Sequence, residues 1–96
     1  MKKLMECLGN KVNRYKAQDR KDKREFQEQD YITPELLRRW LGTSCQNCGD
    51  VLNFDVIDKK IVSNLSAQRL DNSLPHETDN CVPWCGMCNM MVSDRD

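Results

Sequence analysis

Two Cys-x-x-Cys pairs constrain this chain more than any other feature: Cys45 and Cys48 in CQNCG, and Cys85 and Cys88 in CGMCN. Together they offer four thiolates, the complement of one tetrahedral Zn²⁺ held about 2.3 Å from each sulfur. In CQNCG a tight turn aims both sulfurs at one point, and Gly49 permits the backbone reversal. Cys85 and Cys88 are expected at the start of the last helix, one turn apart on one face. Four sulfurs fill the metal's positions. The zinc is therefore read as a structural staple that leaves no position for an activated water.

The size of the chain makes a staple useful. It has 96 residues, of which 39% are hydrophobic, and its mean hydropathy is -0.77. Little apolar surface is left for a core, and small domains of this kind lean on a metal or on disulfides. Six cysteines could supply either. The first residues, MKKLMECLGN, are interrupted by Glu6, Gly9 and Asn10, so no export signal is expected. No run is long enough to span a membrane. An intracellular, reducing compartment is expected (cytoplasm, nucleus or the inside of a virus particle), where thiols bind metal rather than pair.

The formal net charge is +0, but it is unevenly divided. Residues 1–31 carry nine basic and six acidic side chains, so nine minus six gives +3. Residues 32–96 carry six basic and nine acidic ones, so six minus nine gives −3. A zinc–tetrathiolate centre adds about −2 to the second half. Any general attraction to nucleic acid should come from the N-terminal segment or from a bound divalent cation.

These patterns predict a small α+β fold in two parts: a charged amphipathic helical segment over 1–31, then a helix and a zinc-binding unit over 32–96. Residues 2–30 read as helix, with an early break at Gly9-Asn10. Leu4, Leu8, Val12 and Tyr15 form one apolar stripe, expected to pack on the zinc half or on a protein partner. The mixed-charge run from Lys16 to Glu25 reads as a solvated helix face, the alternative being a basic arm that touches nucleic acid. Thr33 as N-cap, Pro34 at the first helical position and Ile32 with Leu37 as a staple predict a second helix, which Gly42 can end. Val51–Ile57 and Ile61–Leu70 read as strands about a turn at Asp58-Lys59-Lys60, and Asp71–Asn80 as a loop. Cys81-Val82 reads as a short strand before Pro83, and a last helix runs from near Cys85 to about Ser93. Cys81 is expected to be a buried strand residue, the alternative being that it replaces Cys85 as ligand, and Cys7 to pack on the apolar stripe. Met87, Met90 and Met91 are expected in the core, the alternative being a partner surface.

A hairpin knuckle plus a helix-start cysteine pair is the arrangement of a treble-clef finger. Strand, loop, short strand and helix, with Asn80 before the second strand and Asn89 after the last cysteine, resemble the HNH (ββα-metal) endonucleases. The likeness is greatest to the endonuclease VII-like, four-cysteine branch found in phages and large DNA viruses. It covers Cys45 to about Asp94 and rests on CQNCG, QRLDNSLPHETDN and CGMCN. The resemblance implies a second, catalytic divalent cation (Mg²⁺ or Mn²⁺) bound by an Asp at the end of the first strand and by the residue at Asn89. It also implies a general-base His beside that Asp, and DNA or RNA as substrate.

Gln68 stands at the position of the metal-binding Asp, and Arg69 at that of the general base. An amide is a weak ligand for a hard cation, and arginine cannot accept a proton. Within the resemblance, His76 is the remaining candidate base and Asp71 the nearest carboxylate to help Asn89 hold metal. Arg69 would clamp a phosphate or pair with Asp71 or Asp79. His76 can equally hydrogen-bond the loop and fix its shape. Three readings follow: a metal-dependent nuclease, a degenerate member that binds nucleic acid or protein without cutting, and a structural or interaction protein, for instance in a viral assembly.

Overall fold

The structure is a computed structural model and describes residues 2–93; Asp94, the far end of the resembling segment, lies outside them. Helix α1 (Lys2–Lys21) leads into a 3₁₀ turn at Glu28–Asp30 and helix α2 (Pro34–Trp40). Strands β1 (Phe54–Ile57) and β2 (Lys60–Ser63) form one antiparallel hairpin. Strands β3 (Leu65–Arg69) and β4 (Cys81–Cys85) form a second antiparallel pair, and helix α3 (Gly86–Ser93) closes the order.

Helix α1 ends sooner than the pattern over 2–30 suggests, and it passes through Gly9-Asn10 without a break. A Cβ on Gly9 would sit 4.0 Å from the Pro34 ring, so this small residue marks where α1 and α2 approach. That packing outweighs a propensity cost of about 1 kcal/mol. The helix stops because Lys23 adopts a left-handed φ of 61°. The Arg24 N–H then reaches the Asp19 carbonyl at 2.8 Å, and the Lys23 N–H reaches that of Arg20 at 3.1 Å. This is a Schellman closure with lysine in the place usually held by glycine. Helix α2 follows the sequence signals: the Thr33 hydroxyl accepts from the Leu36 N–H at 3.2 Å, and Gly42 takes a φ of 91°.

The long apolar run Ile61–Leu70 is two strands, not one. Asn64 is the corner between them. Its side chain accepts from the Asn53 N–H at 2.9 Å and donates to the Val51 carbonyl at 3.0 Å. Its carbonyl takes the Gly86 N–H at 2.7 Å. Strand β4 in turn runs beyond Val82, through Pro83, to Cys85. Pro83 is tolerated because it faces Ala67 in the register, and both turn their backbone polar groups outward. The Ala67 N–H meets the Tyr15 hydroxyl at 3.1 Å, and the Pro83 carbonyl accepts from Gln46 N–H at 3.0 Å. Proline therefore removes no bond between the strands. The outer edge of β3 is covered by α1, whose Lys11 ammonium also donates to the Leu65 carbonyl at 2.9 Å. Covering an open edge in this way blocks unwanted strand pairing.

One core joins the halves. Leu4, Leu8 and Val12 of α1 pack with Tyr31, Ile32, Leu37, Leu52 and Leu65, and the cluster continues into Cys45, Cys81, Cys85 and Cys88. The stripe thus packs on the half that carries the two cysteine pairs. Two expectations are corrected. Met87, Met90 and Met91 are exposed rather than core, because α3 turns Cys88 and Asn89 inward and leaves these three outside. The Lys16–Glu25 run is not wholly solvated, since Asp19 is fully buried.

Candidate metal centre

The first cysteine pair sits in a knuckle that its own backbone closes. The Cys45 N–H donates to the Asp50 carbonyl at 2.7 Å, and the Gly49 N–H to that of Cys45 at 2.9 Å. Gly49 has a φ of 86°, where a side chain would be strained. An isolated bridge between Ser44 and Val51 frames the loop, and the Gln46–Pro83 bond docks it on β4. The second pair differs from expectation in one respect. Cys85 is the last residue of β4, and α3 begins at Gly86, so only Cys88 is helical. The pair still converges, because the Cys88 N–H turns back onto the Cys85 sulfur at 3.5 Å.

The sulfurs of Cys45, Cys48, Cys85 and Cys88 lie within 4.8 Å of one another. Cys48 and Cys85, from the two pairs, are 3.7 Å apart at sulfur. A tetrahedron with bonds of about 2.3 Å has edges of about 3.8 Å, so this spacing fits a shared ion. Four cysteines are thus positioned to hold a metal ion, and an all-sulfur tetrahedral donor set is consistent with zinc. Among the described residues this is the one such grouping of three or more His, Cys, Asp or Glu side chains.

The electrostatics point the same way. Burial opposes ionisation of Cys45, yet the backbone N–H groups of Cys48, Cys85 and Asn47 bring its thiol down to about 6. The Cys48 thiol moves up: the backbone at Asp50 favours its thiolate, but the neighbouring sulfurs of Cys88, Cys45 and Cys85 and burial outweigh it. Sulfurs this close resist charging together, and a bound cation removes that resistance. Cys81 stands apart as a buried strand residue, and burial pushes its thiol up to about 12.

The remaining candidates fall into two groups. Gln68 and Asn89 do converge: the Asn89 amide donates to the Gln68 side-chain oxygen at 2.6 Å. The loop residues serve the loop. Arg69 donates to the carbonyls of Asn72 and Leu74 instead of pairing with a carboxylate. Its contact with Asp71 is only a general attraction. The Asp71 carboxylate accepts from the Ser73 N–H at 2.9 Å and hydroxyl at 2.6 Å. Asn80 is buried, accepts from the Asp71 N–H, and donates to the carbonyls of Asp71 and Pro75.

His76 is 4% exposed, its ring stacked on Tyr15 at a centroid distance of 4.4 Å. Its Nδ1 and its backbone N–H each lie 3.0 Å from Asp19 Oδ2. The same carboxylate accepts from the Tyr31 hydroxyl at 2.5 Å and from Arg24 Nε at 2.7 Å. Burial opposes the charge on Asp19, but these donors hold its pKa below the ordinary value. Burial also lowers His76, although Asp19 resists the shift. Facing the ionised Asp19 carboxylate, Nδ1 is the ring nitrogen that must carry a proton to make this contact.

Reading the sequence for chemistry missed Asp19, Tyr31 and Lys11. A signal for Asp19 was present. It continues the stripe of Leu4, Leu8, Val12 and Tyr15 by one further turn, so it had to face the core and find donors there.

Comparisons with family models, with curated proteins and with solved structures found no match.

Proposed function

We propose that this protein is a zinc-organised binding module: an HNH-like strand–loop–strand–helix unit whose nuclease centre has been given over to structure. One observation carries the reading. The side chains that the resemblance assigns to catalysis are engaged elsewhere, above all His76, which is buried against Asp19 and Tyr15. A general base must reach a water or hydroxyl proton within hydrogen-bond distance. A stacked, 4%-exposed imidazole is poorly placed for that. Mg²⁺ or Mn²⁺ would have to be held by Gln68 and Asn89, two amides bonded to each other, with the Asp71 carboxylate turned to Ser73. A hard divalent cation gains little from that donor set.

The nuclease reading keeps one specific support. Residues 68 and 89, paired in the resemblance as ligands, do touch. The test follows from that contact. The zinc-loaded chain is incubated with single-stranded, duplex and branched DNA and with RNA, in Mg²⁺ or Mn²⁺, with cleavage and retention both scored. We expect retention of at most some of these ligands and no cleavage. Gln68→Asp should gain Mn²⁺ affinity, because a carboxylate then stands beside the Asn89 amide. Robust cutting by the unaltered chain, lost in His76→Gln and Asn89→Ala at unchanged zinc content, would overturn the proposal.

A further inference from the structure

The β1–β2 hairpin is unusual in how little it buries. It forms a sheet of its own, and all four residues of β1 are exposed. Val56 is 59% exposed and Phe54 41%. A lone two-stranded hairpin is marginal in water. This one is held at its base by Asn53, Ser63 and Asn64, through the Ser63 hydroxyl to the Asn53 carbonyl and the Asn64 amide bonds described above. At its tip, Asp58 and Lys59 take φ of 51° and 66°, the left-handed pair of a tight two-residue turn. The hairpin is therefore fixed in place with Phe54 and Val56 left exposed, while Ile61 packs against the core.

The register places Phe54, Val56 and Ile61 on one face, since Val56 is opposite Ile61 and Phe54 opposite Ser63. That face overhangs the first turn of α1 and encloses a groove of about 440 Å³. Its floor is Leu4, Phe54, Val56 and Ile61, and its rim is Lys2, Lys3 and Lys59. Among the described residues no acidic side chain lines it, and the first turn of α1 contains none. The positive end of the α1 dipole is thus reinforced by two lysines instead of offset. The groove combines an apolar floor of ligand-binding size with a rim of three lysines.

We propose that this groove docks an acidic amphipathic segment of a protein partner. Apolar side chains of the segment fill the floor, and its Asp or Glu side chains face Lys2, Lys3 and Lys59. The occupant follows from complementarity of both kinds. A nucleic acid would match the rim but waste a floor that is mostly aliphatic, where bases prefer aromatic platforms. A bilayer would match both in kind, but its broad surface cannot enter a concave groove between a hairpin and a helix. The groove shares no residue with the metal ligands or with the Gln68–Asn89 pair, so the inference stands whether or not the zinc unit cuts.

The experiment uses the zinc-loaded full chain and a short synthetic peptide with Leu at helical i, i+3, i+4, i+7 spacing and Glu elsewhere. Binding is read by fluorescence anisotropy and by amide chemical shifts. The expected result is binding that shifts the amides of Leu4, Phe54, Val56 and Ile61. Reversing the rim (Lys2→Glu, Lys3→Glu and Lys59→Glu together) should weaken it at least about tenfold. Val56→Asp, at an exposed position that should not disturb folding, should do the same. The Glu-bearing peptide with Ser replacing every Leu should not bind. The proposal is overturned if a Lys-bearing version, an oligonucleotide or phosphatidylserine vesicles bind this surface as well as the Glu-bearing peptide does. It is equally overturned if rim reversal has no effect, or if the chain covers these amides by associating with itself.

Discussion

Asp19 and His76, 57 positions apart, meet in the interior with 3.0 Å between Oδ2 and Nδ1. The pair ties the last turns of α1 to the loop between β3 and β4, and Tyr31 and Arg24 complete the ring of donors around one carboxylate. A buried carboxylate is costly unless its oxygens are filled, and here both are. The charged amphipathic helix is thereby locked to the half that carries the four cysteines.

This lock should make stability pH-dependent in a defined window. Folding lowers the His76 pKa from its ordinary 6.5, chiefly through burial, so the unfolded chain takes up the proton first. The contribution of His76 is therefore complete above 6.5 and declines as pH falls below it. Asp19, also lowered, adds a further loss once pH falls through 3.8 and below. Urea midpoints of the zinc-loaded chain from about pH 8 to about pH 5 should fall more steeply than those of His76→Gln. The difference between the two curves isolates His76 from proton competition at the cysteines. Parallel curves would show that His76 carries no linked proton.

The metal centre yields a separate expectation. With four sulfurs within 4.8 Å and no other staple among the described residues, much of the folding free energy should come from the ion. Structural zinc contributes on the order of 10 kcal/mol in small domains. One equivalent of zinc per chain is expected by metal analysis under reducing conditions. Chelation, or Cys48→Ser or Cys88→Ser, should collapse the amide spectrum to that of an unfolded chain. A metal-free folded protein, or a Cys45–Cys48 disulfide in the native chain, would refute this.

What the sequence made legible was what local chemistry decides. The cysteine spacing, the Thr33 cap with its Pro34 and the stripe of Leu4, Leu8 and Val12 each act within a few residues, and each appears where the pattern puts it. What escaped was decided by partners distant in the chain. Nothing near Asn64 says that its amide will bridge Val51 and Asn53 and so split one apolar run into two strands. Nothing near Pro83 says that its missing N–H will fall on the side of β4 where no strand needs it. Asp19 looked like one of many surface charges because Tyr31, Arg24 and His76 meet only after folding. The hairpin's open face was invisible for the opposite reason. Its apolar residues read only as strand, and among the described residues no element covers Val56.

Asn80 offers the sharpest test of whether the β3–β4 loop is a built structure. Its side chain is buried, and all its bonds are to backbone: it accepts from the Asp71 N–H at 2.9 Å and donates to the carbonyls of Asp71 and Pro75 at 3.0 Å each. Asn80→Ala would strand one donor and two acceptors away from water, at about 1–3 kcal/mol for each group left unpaired. Some of these will find water at the loop surface, so a net loss of roughly 2–3 kcal/mol is expected. Asn80→Asp keeps the acceptor but loses both donations and should be no better. Denaturant unfolding at fixed zinc gives the stability change, and amide exchange locates it. Protection should fall first at Asp71 and Leu70, whose own N–H reaches the Asn80 carbonyl at 2.8 Å, while the knuckle around Cys45 stays protected. A loss below about 0.5 kcal/mol would mean that the loop holds its shape without this amide.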